Sequence, residues 1–167
     1  EEALLAPLPL AIALVASLGL AAPAFASTAE HAPAAPSAQA AAPAPLLQAA
    51  ELKALIGQPG VRVLDIRADK DYAAGHVPGA VHTPYGKYRG PKENPGQLPS
   101  EAALPQLLQA AGVDRDTPVV VVHAGSDHTD FGAAARVYWT LKVGGLTRLS
   151  ILDGGTKAWQ AAGGALE

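Results

Sequence analysis

The amino-acid sequence predicts an α/β fold in which a central, mainly parallel sheet carries helices on both faces. Three short runs, Val61–Ile66, Val119–Val122 and Leu149–Leu152, are rich in valine, leucine and isoleucine and bounded by turn-forming residues, and Val119–Val122 is apolar throughout. All three read as strands, and Val119–Val122 as one buried on both faces of a parallel sheet. Each is followed by a polar or glycine-rich turn and then by a stretch of helical composition. Strand, turn and helix repeated in that order make βαβ units, and their crossovers force the strands parallel. The 167 residues suit one such domain with a modest core.

Taken in order, Leu46–Gln48 is expected to form a brief edge strand and Ala49–Ile56 a helix, stopped by Gly57, Pro59 and Gly60. Val61–Ile66 is a strand. Its polar sequel, Arg67 to Asp71, opens a short helix through Tyr72-Ala73-Ala74. Gly75-His76-Val77-Pro78-Gly79-Ala80 reads as a turn, with Val81-His82 returning briefly to the sheet. Tyr85 to Pro99 has no regular pattern and is expected to be a surface excursion. Ser100 opens a helix that Gly112 ends. Val119–Val122 is the central strand, and a helix continuing to Lys142 follows its loop, closed by Gly144-Gly145. Leu149–Leu152, the turn Asp153-Gly154-Gly155 and a helix over Thr156–Ala162 complete the series.

Ahead of this domain, Ala3 to Thr28 carry no charge, and Leu4–Leu20 is rich in Leu, Ala, Ile and Val. The run ends in Ala24-Phe25-Ala26, a small-x-small site of the kind cleaved from exported proteins. Residues 1–26 are therefore expected to be a signal peptide truncated at its amino end, which directs the protein to the periplasm or the exterior. The alternative is an uncleaved segment anchoring the domain to a membrane, since the run exceeds the roughly 18 residues a spanning helix needs. Pro7, Pro9 and Pro23 argue against a regular span. Residues 27–45 are Ala/Pro-rich, a composition with little to bury, and are expected to be a disordered spacer.

Of the 15 acidic residues only Glu1, Glu2 and Glu30 precede Leu46, whereas all 12 basic residues follow it. The domain at 46–167 is thus balanced, and no basic stripe argues for nucleic acid. No cysteine occurs anywhere, which excludes both a disulfide framework and thiol chemistry on this polypeptide.

The chemistry is expected at His123, Ala124, Gly125, Ser126, Asp127, His128, Thr129 and Asp130, the loop between the central strand and its helix. A strand entering a loop and then a helix N-terminus collects backbone N–H groups that seat an anion. Thr129 or Asp130 occupies the expected N-cap. In parallel sheets ligands sit beyond the carboxyl ends of the strands, so Asp65 and Arg67 should share this rim. His123, Asp127, His128 and Asp130 carry metal-binding atoms, but two histidines without a supporting carboxylate spacing make a weak set. No metal and no cofactor are expected.

Three separated stretches resemble the rhodanese, or sulfurtransferase, family. Leu64-Asp65-Ile66-Arg67 with Tyr72-Ala73-Ala74-Gly75-His76-Val77-Pro78-Gly79-Ala80 is similar to the family's amino-terminal signature. Leu152-Asp153-Gly154-Gly155 with Trp159 and Gly163 is similar to its carboxy-terminal one. Between them the valine run, loop and helix stand where the family places its active-site loop. The resemblance covers about Leu46 to Gly164 and implies a three-layer rhodanese-like sandwich.

In active members, the resemblance implies a loop cysteine that takes sulfane sulfur from thiosulfate or mercaptopyruvate as a persulfide and passes it to cyanide or a thiol. Here His123 holds the cysteine's place, so no catalytic residue is expected in this chain. Tyr85-Gly86-Lys87-Tyr88-Arg89 and the helix Ala133–Leu141 resemble the non-catalytic first domain of tandem sulfurtransferases. That likeness implies a second, catalytic rhodanese domain following this chain as its partner, and small sulfur-containing anions as substrates. The alternative is a free-standing inactive module that binds a protein or an anion.

Several side chains admit a structural role as readily as a functional one. His123 either contacts substrate or partner, or hydrogen-bonds nearby backbone. Arg67 either faces an anionic donor or pairs with Asp65 or Asp69. Asp65 and Asp153 are expected to cap turns, His76 to order the Gly75–Gly79 turn, and Tyr138, Trp139 and Trp159 to pack in the core or at a domain interface.

Overall fold

The computed structural model describes residues 43–167. The leader and most of the spacer expected from the sequence lie outside the described residues. Five strands form one all-parallel sheet: β1 (Leu46–Leu47), β2 (Arg62–Asp65), β3 (Val81–His82), β4 (Val119–Val122) and β5 (Leu149–Leu152), in the order β1-β5-β4-β2-β3. The helices between and after them are α1 (Ala49–Leu55), α2 (Asp69–Ala73), α3 (Ala103–Ala110), α4 (His128–Val143) and α5 (Gly155–Ala161).

Alternation along β4 divides the core into two. Val119 and Val121 point to the side of α3 and α4, packing with Leu64, Leu108, Val137, Leu141, Leu149 and Ile151. Val120 and Val122 point to the side of α1 and α5, against Leu47, Leu52, Val63, Leu152 and Trp159. Both sides of the strand are buried, which is why it is valine throughout: β-branched side chains suit a pleated surface and alternate across it. Full burial of each such side chain is worth about 1.5–3 kcal/mol.

The expected elements form, with shifts at their ends. Ser100 does not begin α3; its Oγ accepts the Ala103 N–H at 3.2 Å, closing a turn from which the helix starts. Gly112, at φ +66°, stops it. The segment after Pro84 departs from the expected surface excursion. Tyr85–Tyr88 forms a 3₁₀ turn, and Tyr88 is fully buried, its hydroxyl donating to Thr83 Oγ1 at 3.0 Å. A single buried aromatic on a short turn leaves no periodic trace, so pattern reading passes over it. Burial pushes the Tyr88 phenol up to about 12 despite that hydrogen bond.

The loops after β4 and β5 are locked together by two glycines. A Cβ on Gly125 would collide with the Gly154 carbonyl, and one on Gly155 with the His123 carbonyl. This close approach lets Thr156 N and Lys157 N donate to the carbonyls of His123 and Ala124 at 2.8 and 3.1 Å. Both rim loops are thereby held rigid.

Candidate functional site

Because β2 and β4 are parallel neighbours paired Asp65 to Val122, the Asp65–Arg67 segment and the loop after β4 emerge on the same rim. Asp65 is fully buried, and its carboxylate accepts from the Arg67 side chain through Nε at 3.0 Å and Nη2 at 2.7 Å. It also accepts the Arg67 backbone N–H at 3.0 Å, while Nη2 reaches the Gly75 carbonyl at 2.8 Å. The guanidinium, only 8% exposed, is committed to holding the β2 end against the Gly75 turn. Of the two roles open to Arg67 from its sequence, the geometry displays the ion pair.

His123 likewise turns inward. The residue is 2% exposed, with Nδ1 on Asp130 Oδ2 at 2.7 Å and Nε2 on the Leu152 carbonyl at 3.2 Å. Phe131 packs edge-on against the ring, with centroids 5.7 Å apart. Its imidazole therefore ties β4, β5 and the start of α4 together, beneath the rim.

The N-cap of α4 is Asp127, correcting the expectation of Thr129 or Asp130. Its Oδ1 accepts from the N–H of Thr129 at 2.8 Å and of Asp130 at 3.1 Å. Those two N–H bonds come first among the causes that hold the exposed Asp127 carboxyl below its usual value. Asp130 sits one turn further in and reaches back to the loop. Its Oδ2 accepts from Gly125 N at 2.7 Å and Ser126 N at 3.1 Å, and its Oδ1 from Ala124 N at 3.3 Å. Partial burial works to raise this carboxyl; the bonds from His123, Ser126 and Gly125 together outweigh it and leave the group below its usual value.

The N–H groups that the sequence reading left open for an external anion thus converge on a carboxylate of the chain itself. The geometry does form an anion cradle, and Asp130 is the anion in it. The signal available in the sequence was an aspartate three residues into a helix, where a side chain can fold back over the preceding loop. Ser126, Asp127, His128 and Thr129 remain exposed on the rim, whereas Ala124, Gly125 and Asp130 are half-buried. Among the described residues no three His, Asp or Glu side chains gather as a metal-binding group.

Sequence reasoning missed one cluster beside the rim. The Tyr72 ring is stacked between those of His76 and His82, at centroid distances of 3.8 and 4.4 Å. Tyr72 and His76 lie four apart along α2 and its exit, a spacing that could have suggested the contact. The Tyr72 hydroxyl donates to the Ala80 carbonyl at 2.8 Å. Burial, then the charges of Asp65 and Glu167, raise its pKa. Glu167 closes the cluster, exchanging backbone hydrogen bonds with His76 at 2.9 Å in both directions.

Comparison with known proteins agrees with this architecture. The family model described as "Rhodanese-like domain" matches residues 48–162. The Mycobacterium tuberculosis protein SseB is 38% identical over 141 residues, covering 73% of this chain and 46% of its own length. A Bos taurus protein named thiosulfate sulfurtransferase is 37% identical over 117 residues, covering 63% of this chain and 38% of its own length. Among solved structures, SseA from Escherichia coli, described as a 3-mercaptopyruvate sulfotransferase with the rhodanese fold, superposes with a TM-score of 0.62 at 24% identity. That match covers 75% of this chain and 50% of SseA. The chain therefore spans half or less of the length of each of these proteins. The five-stranded parallel sheet, its two helical layers and the extent of the family match together establish that this chain belongs to the rhodanese-like domain family.

Proposed function

We propose that this chain is the non-catalytic rhodanese domain of an exported, tandem-domain sulfurtransferase, whose substrates are thiosulfate or mercaptopyruvate as sulfur donors and cyanide or thiols as acceptors. The observation that carries the reading is His123. It stands where active members of the family place the persulfide-forming cysteine, and it is buried and hydrogen-bonded at both ring nitrogens. An imidazole cannot store sulfane sulfur as a thiolate can. With Asp130 filling the cradle and Arg67 committed to Asp65, the loop is suited to shape and support rather than to sulfur transfer. The chemistry then belongs to a second rhodanese domain bearing the cysteine, and this domain forms a wall of the cleft between them. Relatives at least twice as long as the stretch they share with this chain support that arrangement.

Export rests on the leader composition of residues 1–26. No helix among the described residues is long and apolar enough to cross a membrane.

The test is a thiosulfate:cyanide sulfurtransferase assay on the 167-residue chain and on the longer product of its reading frame. The chain by itself should give no thiocyanate above background. The longer product should be active, and should lose that activity when the loop cysteine of its second domain is changed to serine. Turnover by the cysteine-free chain would sink the proposal. A reading frame that stops at Glu167 would favour the free-standing module instead.

A further inference from the structure

The outward side of α4 carries Phe131, Trp139 and Val143, at multiples of four residues and hence in one stripe, while Ala135 between them is half-buried against the core. Phe131, Trp139 and Val143 are 37%, 47% and 54% exposed, three of the four large hydrophobic side chains left exposed among the described residues. The inward side of the same helix, with Ala134, Val137 and Leu141, is buried in the core. A helix apolar on both sides belongs in an interior, so the outer side of α4 lacks the cover its composition calls for.

The stripe is continuous with two other features. Phe131 joins it to the rim loop through its contact with His123. At the opposite end Val143 lines an open groove of about 600 Å³ between α3 and α4, with Leu104, Leu108 and Leu146. The two cations along the stripe lie on aromatic rings: the Arg136 guanidinium is 5.0 Å from the Trp139 ring centre, and Lys142 Nζ is 5.7 Å from that of Tyr138. Apolar and aromatic residues with arginine, and few free charges, are the composition of an interface centre rather than of a surface for nucleic acid or a charged peptide.

We infer that this outer face of α4, with the lip of the groove, is the docking surface for a second rhodanese domain of the same polypeptide. The inference rests on the tandem reading above. The stretch this chain shares with SseB and SseA occupies only 46% and 50% of those proteins, leaving room in each for a second domain of similar size. Contacts between domains of one chain bury about 600–1,500 Å². The stripe runs most of the length of the 16-residue α4 and continues into the adjoining groove. A domain seated there also covers Phe131, and so reaches the rim at which the loop after β4 emerges.

The two tryptophans make the inference directly measurable, because Trp159 is 3% exposed and Trp139 is 47% exposed. The difference in fluorescence between the unaltered protein and its Trp139→Phe variant isolates the signal of Trp139. In the 167-residue chain that signal should be readily quenched by acrylamide; in the longer product of the reading frame its quenching constant should fall several-fold. Val143→Glu should leave the unfolding midpoint of the 167-residue chain unchanged, yet lower that of the longer product or split its single transition in two. Equal quenching of Trp139 in both proteins, or a longer product indifferent to Val143→Glu, overturns the inference while the tandem reading stands. A reading frame without a second rhodanese domain removes the tandem reading, and this inference with it. Self-association of the 167-residue chain that Val143→Glu abolishes, without effect in the longer product, overturns it in favour of a second copy.

Discussion

Asp130 is the residue on which the rim loop turns. Its carboxylate joins Ala124, Gly125 and Ser126 to His123, so removing it leaves several polar groups without partners. Asp130→Ala should cost about 1–3 kcal/mol, the usual penalty for orphaning partly buried donors, measured by chemical denaturation. The same group sets an acid limit. Its folded pKa lies below the 3.8 of an ordinary aspartate, so the stability it contributes is present above that value and is lost as pH falls through the folded pKa. The denaturation midpoint should therefore decline below about pH 4, and Asp130→Asn should flatten the decline. An acid limb unchanged by the asparagine would show that other carboxylates govern it. The Asp65–Arg67 pair makes a second prediction. Because Asp65 is fully buried and Arg67 nearly so, Asp65→Ala strands a guanidinium, and a loss of about 3–5 kcal/mol is expected from equilibrium unfolding.

Among the elements, α4 does most to join the parts of the fold. Its inward side packs on the sheet, and Leu141 there is fully buried, so Leu141→Ala should cost about 2–5 kcal/mol by denaturant titration. Arg136 anchors the segment after the 3₁₀ turn, with Nη2 donating to the carbonyls of Gly96 at 2.6 Å and Gln97 at 3.1 Å. Cutting that tie with Arg136→Ala should speed limited proteolysis between Arg89 and Pro99 with little change in the far-ultraviolet spectrum. A cleavage rate equal to the parent's would show that the segment is held by its own turns. The order of elements was legible in the sequence, because the valine run, the glycine stops and the helical stretches are local signals. The N-cap was not: Asp127, Thr129 and Asp130 are all capping types, and which one caps depends on where the loop leaves β4. Tyr88 was also hidden, since its burial comes from Thr83 and the packing of α4 rather than from any neighbour pattern.

At the scale of the whole molecule, the sequence by itself determined the class and the family: alternating strands and helices, three separated signatures in order, and a strand end without cysteine. These follow from chain-local chemistry, in which propensity, turn residues and nucleophile identity are carried by single positions. The tertiary structure decided what the rim can do. Two glycines allow the loops after β4 and β5 to close on one another, which fixes His123 inside and brings Asp130 over the loop N–H groups. It also decided that Trp159 is core while Trp139 faces outward, although both are tryptophans on helices that follow a strand of the same sheet. Such outcomes depend on distances between segments far apart in the chain. No run of residues encodes them singly, because they arise only when the sheet has set which ends meet.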